Sequence, residues 1–199
     1  KEGEEVEFIG YDETEGEAEI LRYRKVKAKN KEQFQLVLNR TPFYAESGGQ
    51  VGDSGYIEAN GEKTSITDTQ KENNLIIHYV DKLPKDVSAT FVAKINTSRR
   101  KQISNNHSAT HLLHSALKQV LGAHVNQKGS LVNEAQTRFD FSHFAKVSDE
   151  EIQKIEKIVN EKIRENILLD ERRNVPVQQA MDMGAMALFG EKYGEFVRV

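Results

Sequence analysis

The sequence predicts an α+β chain whose first half is nearly all strand and whose second half alternates helices with strands. Three observations carry this. Apolar residues recur at period two as far as Ile95, the spacing shifts to near four after Asn96, and the change in composition there marks a domain boundary. The expected domains are therefore 1–95, a small barrel or sandwich, and 96–199.

Within the first domain, acidic residues (Glu15, Glu17, Glu19 among them) and then basic ones (Arg22, Arg24, Lys25, Lys27) alternate with Ala18, Ile20 and Val26. This is the pattern of half-buried antiparallel strands with charged, mutually paired outer faces. Phe34 to Leu38 reads as a further strand. Tyr56 to Ala59, Asn60-Gly61 and Thr64 to Thr67 read as a hairpin, because Asn-Gly suits a type I′ turn. Leu75 to Val80 and Ala89 to Ile95 complete the set. A long helix then runs to about Leu121, capped by Asn96 or Thr97. Gln127 to Val132 and Thr137 to Phe141 follow as strands. Ser148-Asp149-Glu150-Glu151 is a capping box opening a helix with the stripe Ile152, Ile155, Val159 and Ile163. Leu168 to Arg172 reads as an edge strand, Pro176 as the start of a short helix and Gly184 as a helix stop.

Composition narrows the function classes. With 37% apolar residues the chain can build a core, while 30% charged residues and no long apolar run argue against a membrane span. No cysteine is present, so any metal must be held by His, Asp, Glu or another molecule. A net charge of −3 exerts no global pull on nucleic acid. The chain opens at Lys1 with neither an initiator Met nor an apolar leader, and reads as a piece of something longer.

The chemistry concentrates in two segments. In Asn105 to His114, residues His107, His111 and His114 fall on one helical face, within about 60° of one another, opposite Ala109, Leu112 and Ala116. Histidines four apart can converge on a tetrahedral zinc ion, with His114 as a third ligand or an orienting group. Surface histidines are the plainer reading of that spacing. Ser108 stands where a zinc protease carries its glutamate. His78, His124 and His143 have no partner at ligand spacing and read as surface or structural. The second segment, Thr41 to Gly55, packs Gly48, Gly49, Gly52 and Gly55 into eight residues. Without the P-loop lysine it reads either as a tight turn or as a loop that brings backbone close to a ligand, with Thr41, Ser47 and Gln50 as polar contacts.

Together these segments, with Gln127 to Val132, Arg138 to Phe144 and Gly184 to Gly194, resemble the editing region of bacterial alanyl-tRNA synthetases over nearly the whole chain. The resemblance implies a small β-barrel like those of translation factors, then a two-layer α/β editing domain shared with threonyl-tRNA synthetases. It implies a deacylase that removes serine or glycine from the alanine tRNA. His107 and His111 match two zinc ligands, and Gln127 matches a glutamine associated with editing. The other two ligands are expected from a Cys-Gly-Gly-Thr-His motif beyond Val199, and an ATP- and alanine-binding domain upstream of Lys1. Thr41 and Gln50 join Gln127 as expected catalytic groups, with Glu46, Ser47, Gly48, Gly49 and Arg138 as substrate contacts. The expected partners are the acceptor end of the alanine tRNA, met by Lys118, Lys128 and Arg138 with Arg99, Arg100 and Lys101, the last three reading equally as an ordinary solvated helix start, and the remainder of a synthetase chain. The expected setting is cytoplasmic, without a membrane. A freestanding deacylase and a non-catalytic RNA-binding module are the alternative readings.

Overall fold

A computed structural model describes residues 6–28, 31–185 and 194–199. Its first half contains β1 (Glu7–Phe8), β2 (Glu15–Ala28), β3 (Lys31–Leu38), β4 (Arg40–Thr41), β5 (Gly55–Ala59), β6 (Glu62–Glu72), β7 (Leu75–Val80) and β8 (Thr90–Ile95). Six of these close an antiparallel barrel in the order β2-β3-β7-β6-β5-β8, while β1 and β4 pair parallel beside it. Closure leaves no free sheet edge, the usual liability of short strands.

Period-two alternation explains the barrel. Leu36, Leu38, Ile57, Ile66, Val80, Phe91, Ala93 and Ile95 point inward and join Phe43 in one core. Each large side chain so buried contributes about 1.5–3 kcal/mol. The outer faces carry the expected cross-strand pairs Arg24–Glu72, Lys25–Glu32 and Lys94–Glu15, all solvent-exposed and individually worth little. Asn60 and Gly61 both have positive φ, 52° and 75°, as a type I′ turn requires. Asn73 and Asn74 repeat the device at 49° and 73° between β6 and β7, a turn not expected from the sequence. It lets β6 run to Glu72.

His78 is fully buried inside the barrel. Its Nδ1 lies 3.3 Å from the Leu36 carbonyl and donates to it, leaving Nε2 to accept from the Thr41 hydroxyl at 2.8 Å. Burial pushes its pKa down to about 4 from 6.5. The neutral ring is therefore what the fold requires. Its contribution is complete above pH 6.5 and is lost as pH falls toward 4, a decline on the order of 3 kcal/mol. Urea midpoints measured between pH 7.5 and pH 4.5 should show this slope, and His78→Gln should flatten it.

The second half contains α1 (Thr97–Leu121), β9 (Gln127–Val132), β10 (Thr137–Phe141), α2 (Asp149–Arg164), β11 (Val175–Pro176), α3 (Val177–Asp182) and β12 (Phe196–Val197). Asn96 caps α1 by accepting from the Arg99 N–H at 3.0 Å, and Gly122 at φ 114° follows its last turn. The capping box at α2 is formed: the Ser148 hydroxyl accepts from Glu151 N–H, and the Glu151 carboxylate accepts from Ser148 N–H. Pro176 precedes α3, and Gly184 at φ 86° ends it in a Schellman motif, with Gly184 N–H bound to Met181 O and Ala185 N–H to Ala180 O. Of the expected Gly184 to Gly194 motif, residues 186–193 lie outside the described residues.

Two expectations need correction. Residues 168–172 form no strand; only Arg172 exchanges backbone bonds, with Val199. On α2 only Ile155 is buried, and Ile152 and Ile163 are exposed, so amphipathic spacing there does not translate into a covered stripe. Among the described residues the sheets after the barrel are two-stranded, β9 with β10 and β11 with β12, and no helix is long and apolar enough to cross a membrane. The chain divides into two compact units, residues 1–111 with 128–140, and residues 112–127 with 141–199.

Candidate functional site

The glycine-rich loop is pinned where it leaves and re-enters the barrel. Tyr44 N–H donates to the Asp53 carboxylate at 2.9 Å, and Asp53 N–H returns a bond to the Tyr44 carbonyl at 2.9 Å. The Asp53 carboxylate is only 2% exposed and is matched by the guanidinium of Arg100 on α1, whose Nε lies 2.9 Å from both oxygens and whose Nη2 completes the ion pair. The remaining Arg100 donors go to the carbonyls of Gly10 and Pro42 at 2.8 and 3.1 Å. Arg99 donates to the Gly52 carbonyl at 2.8 Å and pairs with Glu134 at 3.0 Å. Both arginines, expected either to meet RNA phosphates or to be solvated at the helix start, are instead engaged within the chain. An isolated charge in such a place is costly, so each acts as a structural tie.

Between the anchors the chain turns sharply. Ser47 and Gln50 exchange backbone bonds of 3.1 and 3.0 Å, with Gly48 and Gly49 at φ 58° and 84°. A Cβ on Gly49 would stand 2.5 Å from the Ser130 carbonyl oxygen. The missing side chain lets the Gly49 carbonyl accept from Val132 N–H at 2.7 Å while Val51 N–H donates to Val132 O at 3.1 Å. The loop thus lies along β9. Thr110 on α1 and Thr137 on β10 join through their hydroxyls at 2.6 Å, and the Asn106 amide donates to the Asn133 carbonyl at 2.8 Å, so α1 is tied to the same two strands.

This arrangement turns Gln50 inward. It is 7% exposed, and its Oε1 lies 2.6 Å from His107 Nδ1, so the imidazole donates and the amide oxygen accepts. That bond assigns the tautomer: the proton sits on Nδ1, and Nε2 presents a lone pair. One helical turn later, His111 brings its own Nε2 to 3.1 Å from that atom. Half-burial holds the His107 pKa below its ordinary value, with the neighbouring His111 adding to the effect. His107 is therefore kept neutral, the form that binds metal.

The pair fits a metal. Two nitrogens each about 2.0–2.1 Å from a tetrahedral zinc ion stand about 3.3 Å apart, close to the spacing between these two. Among the described residues no group of three or more His, Cys, Asp or Glu side chains is placed to hold a metal, and the histidine pair is what they offer. His114 does not extend the row. It is 5% exposed, on the inward face of α1 with Ile103, Thr110 and Leu117. An apolar wheel misplaces that face because two of its buried positions, Thr110 and His114, are polar.

The other expected site residues are distributed as follows. Glu46, Ser47 and Gly48 are exposed on the loop. Thr41 is fully buried; its hydroxyl accepts from Phe43 N–H at 3.1 Å and donates to His78. Gln127 opens β9 and is half-buried. Arg138 is exposed on β10 and pairs with Asp140 at 3.2 Å. Sequence reasoning missed the Asp53–Arg100 tie and the orienting role of Gln50. An acidic residue closing a glycine-rich turn was the available signal for the first.

A family model described as tRNA synthetases class II (A) matches residues 1–101. The chain is 62% identical over 198 residues to the alanine–tRNA ligase of Cytophaga hutchinsonii, covering 100% of this chain and 23% of that protein. It is 63% identical over 195 residues to the alanine–tRNA ligase of Parabacteroides distasonis, covering 98% of this chain and 22% of the relative. The alanine–tRNA ligase of Porphyromonas gingivalis is 60% identical over 200 residues, again across the whole chain and 23% of the relative. The chain thus spans under a quarter of the length of the curated relatives it matches.

Proposed function

Since this chain belongs to the class II (A) tRNA synthetases, we propose that its glycine-rich loop and histidine pair form the hydrolytic editing site of an alanine–tRNA ligase. The reaction removes serine or glycine wrongly joined to the alanine tRNA. The observation that carries the reading is the Gln50–His107–His111 array: one imidazole fixed in the ligand tautomer, with a second nitrogen 3.1 Å from its lone pair. Zinc would be held by the Nε2 atoms of His107 and His111, with two further ligands from the Cys-Gly-Gly-Thr-His motif that the family resemblance implies. When bound there, zinc would supply Lewis acidity, for activating a water or for orienting the substrate's α-amino group.

The residues of this chain orient the ester. The amide of Gln127 polarises its carbonyl, and the exposed Glu46, Ser47 and Gly48 contact the amino-acid side chain. Thr41 and His78 act by holding the first residues of the loop. Water oxygen adds to the ester carbonyl, the bond to the ribose oxygen breaks, and a proton passes to that oxygen; amino acid and intact tRNA result. A second site is needed because an alanine pocket rejects an added hydroxyl by only about a hundredfold and cannot exclude glycine by size. The tRNA acceptor end is the macromolecular partner, with Lys101 and Lys128, both exposed, meeting phosphates; such contacts weaken steeply with salt. ATP and alanine bind elsewhere in the synthetase.

Deacylation of serine-charged alanine tRNA by the full synthetase, wild type beside Gln127→Ala, tests the assignment. The variant should be slower by about 10²-fold, the scale of a lost carbonyl-polarising donor. An unchanged rate removes Gln127 from the reaction.

A further inference from the structure

The ladder between β11 and β12 ends beside backbone groups that it does not use. Val175 pairs with Val197 and Pro176 with Phe196. Past β12, Arg172 N–H donates to Val199 O at 2.8 Å, and Val199 N–H returns a bond to Arg172 O at 2.9 Å. Bonded positions recur at every second residue of an antiparallel strand, so the next groups on that edge belong to Asp170 and Leu168. Among the described residues, Leu168, Leu169 and Asp170 make no backbone hydrogen bond. Leu168 and Leu169 are 89% and 83% exposed, and Ile167 before them and Ile163 in the last turn of α2 are exposed too.

Apolar side chains clustered in water mark a surface that another element covers. Neighbouring strand residues point to opposite faces, so two leucines in succession read as a strand buried on both sides. The charges that follow do not invite a polyanion: Arg172 pairs with Asp170 at 3.2 Å, Arg198 with Glu171 at 2.6 Å, and Arg173 with Glu171. What the segment offers is apolar side chain and bare backbone, which an added β-strand takes up together. The chain covers only 23% and 22% of the alanine–tRNA ligases to which it is 62% and 63% identical. In such a synthetase the rest of the polypeptide is tethered to this edge, at an effective concentration that a separate molecule rarely matches.

We propose that residues 167–170 are a docking edge for a β-strand of the same synthetase polypeptide from outside these 199 residues. That strand takes up the ladder where the Arg172–Val199 exchange leaves it and covers Leu168 and Leu169. The strand expected from the sequence at Leu168 to Arg172 then forms on pairing. This rests on the reading that the chain is a segment of an alanine–tRNA ligase, but not on the editing chemistry.

Hydrogen exchange read by mass spectrometry, on the full synthetase and on the 199-residue chain, tests this. The amides of residues 168–170 should exchange on the order of 10²-fold more slowly in the synthetase. Leu168→Asp with Leu169→Asp should return those amides to the rate of the shorter chain, whereas Leu168→Val with Leu169→Val should keep them slow. In the 199-residue chain the aspartate variant should move the melting temperature by no more than about 2 °C, because both side chains already lie in water there. Equal exchange in the two proteins overturns the proposal, as does protection in the synthetase that survives both aspartates. Protection in the 199-residue chain that grows with its concentration, the mark of pairing with a second copy, overturns it too. Protection that persists in His107→Ala synthetase, whatever becomes of deacylation, supports the docking edge independently of the editing reading.

Discussion

Replacing Asp53 with alanine is expected to lower the melting temperature by about 10 °C. The carboxylate is almost wholly buried, and its removal leaves the Arg100 guanidinium, itself 17% exposed, without its counter-charge. Breaking a buried pair from one side costs about 3–5 kcal/mol, and for a chain of this size each kcal/mol is worth about 2–4 °C. The loss extends beyond the pair, because Asp53 Oδ2 also accepts from Tyr44 N–H and closes the glycine-rich loop. Asp53→Asn keeps an acceptor for Tyr44 but removes the charge, and should fall between. Calorimetry on the three proteins decides the matter: a shift below about 2 °C for Asp53→Ala would mean that the Arg100 contacts to Gly10 and Pro42 carry the tie alone.

Gln50→Ala is expected to weaken zinc binding by about 10- to 100-fold, the usual effect of removing a group that orients a metal-ligating histidine. The bond at stake is the 2.6 Å contact that keeps the proton on His107 Nδ1. Gln50→Glu presents a stronger acceptor to the same N–H and should retain affinity. Chelator competition, on a version extended through the remaining ligands, reads both. Equal affinity for wild type and alanine variant would show that His107 needs no orienting partner.

The barrel was legible because its strands obey one rule over a long stretch. Ala18 alternates with Glu17 and Glu19, Phe34 and Leu36 alternate with Gln33 and Gln35, and Asn60-Gly61 names its own turn. The helix caps at Ser148 and Gly184 were legible for the same reason: each depends on a few neighbouring residues. What escaped depends on contacts made across many residues. Arg99 and Arg100 read as either RNA-facing or solvated, because a basic helix start looks the same whether its partners are phosphates, water or the carboxylates and carbonyls of residues 10, 42, 52, 53 and 134. His124 and His143 read as unpartnered because 19 residues separate them. His114 read as part of an exposed row because hydropathy cannot identify a buried polar face containing Thr110. At the candidate site, the approach of His107 to His111 follows from helical spacing, whereas the grip of Gln50 on His107 spans 57 residues and needed the fold.

The most direct test of the central claim is hydrolysis of serine-charged alanine tRNA by the full synthetase carrying His107→Ala and His111→Ala, assayed beside alanine charging by the same protein. Loss of a metal's contribution of several kcal/mol should slow deacylation by about 10²-fold or more while charging persists. Deacylation at the wild-type rate would contradict the assignment of this histidine pair to the editing site.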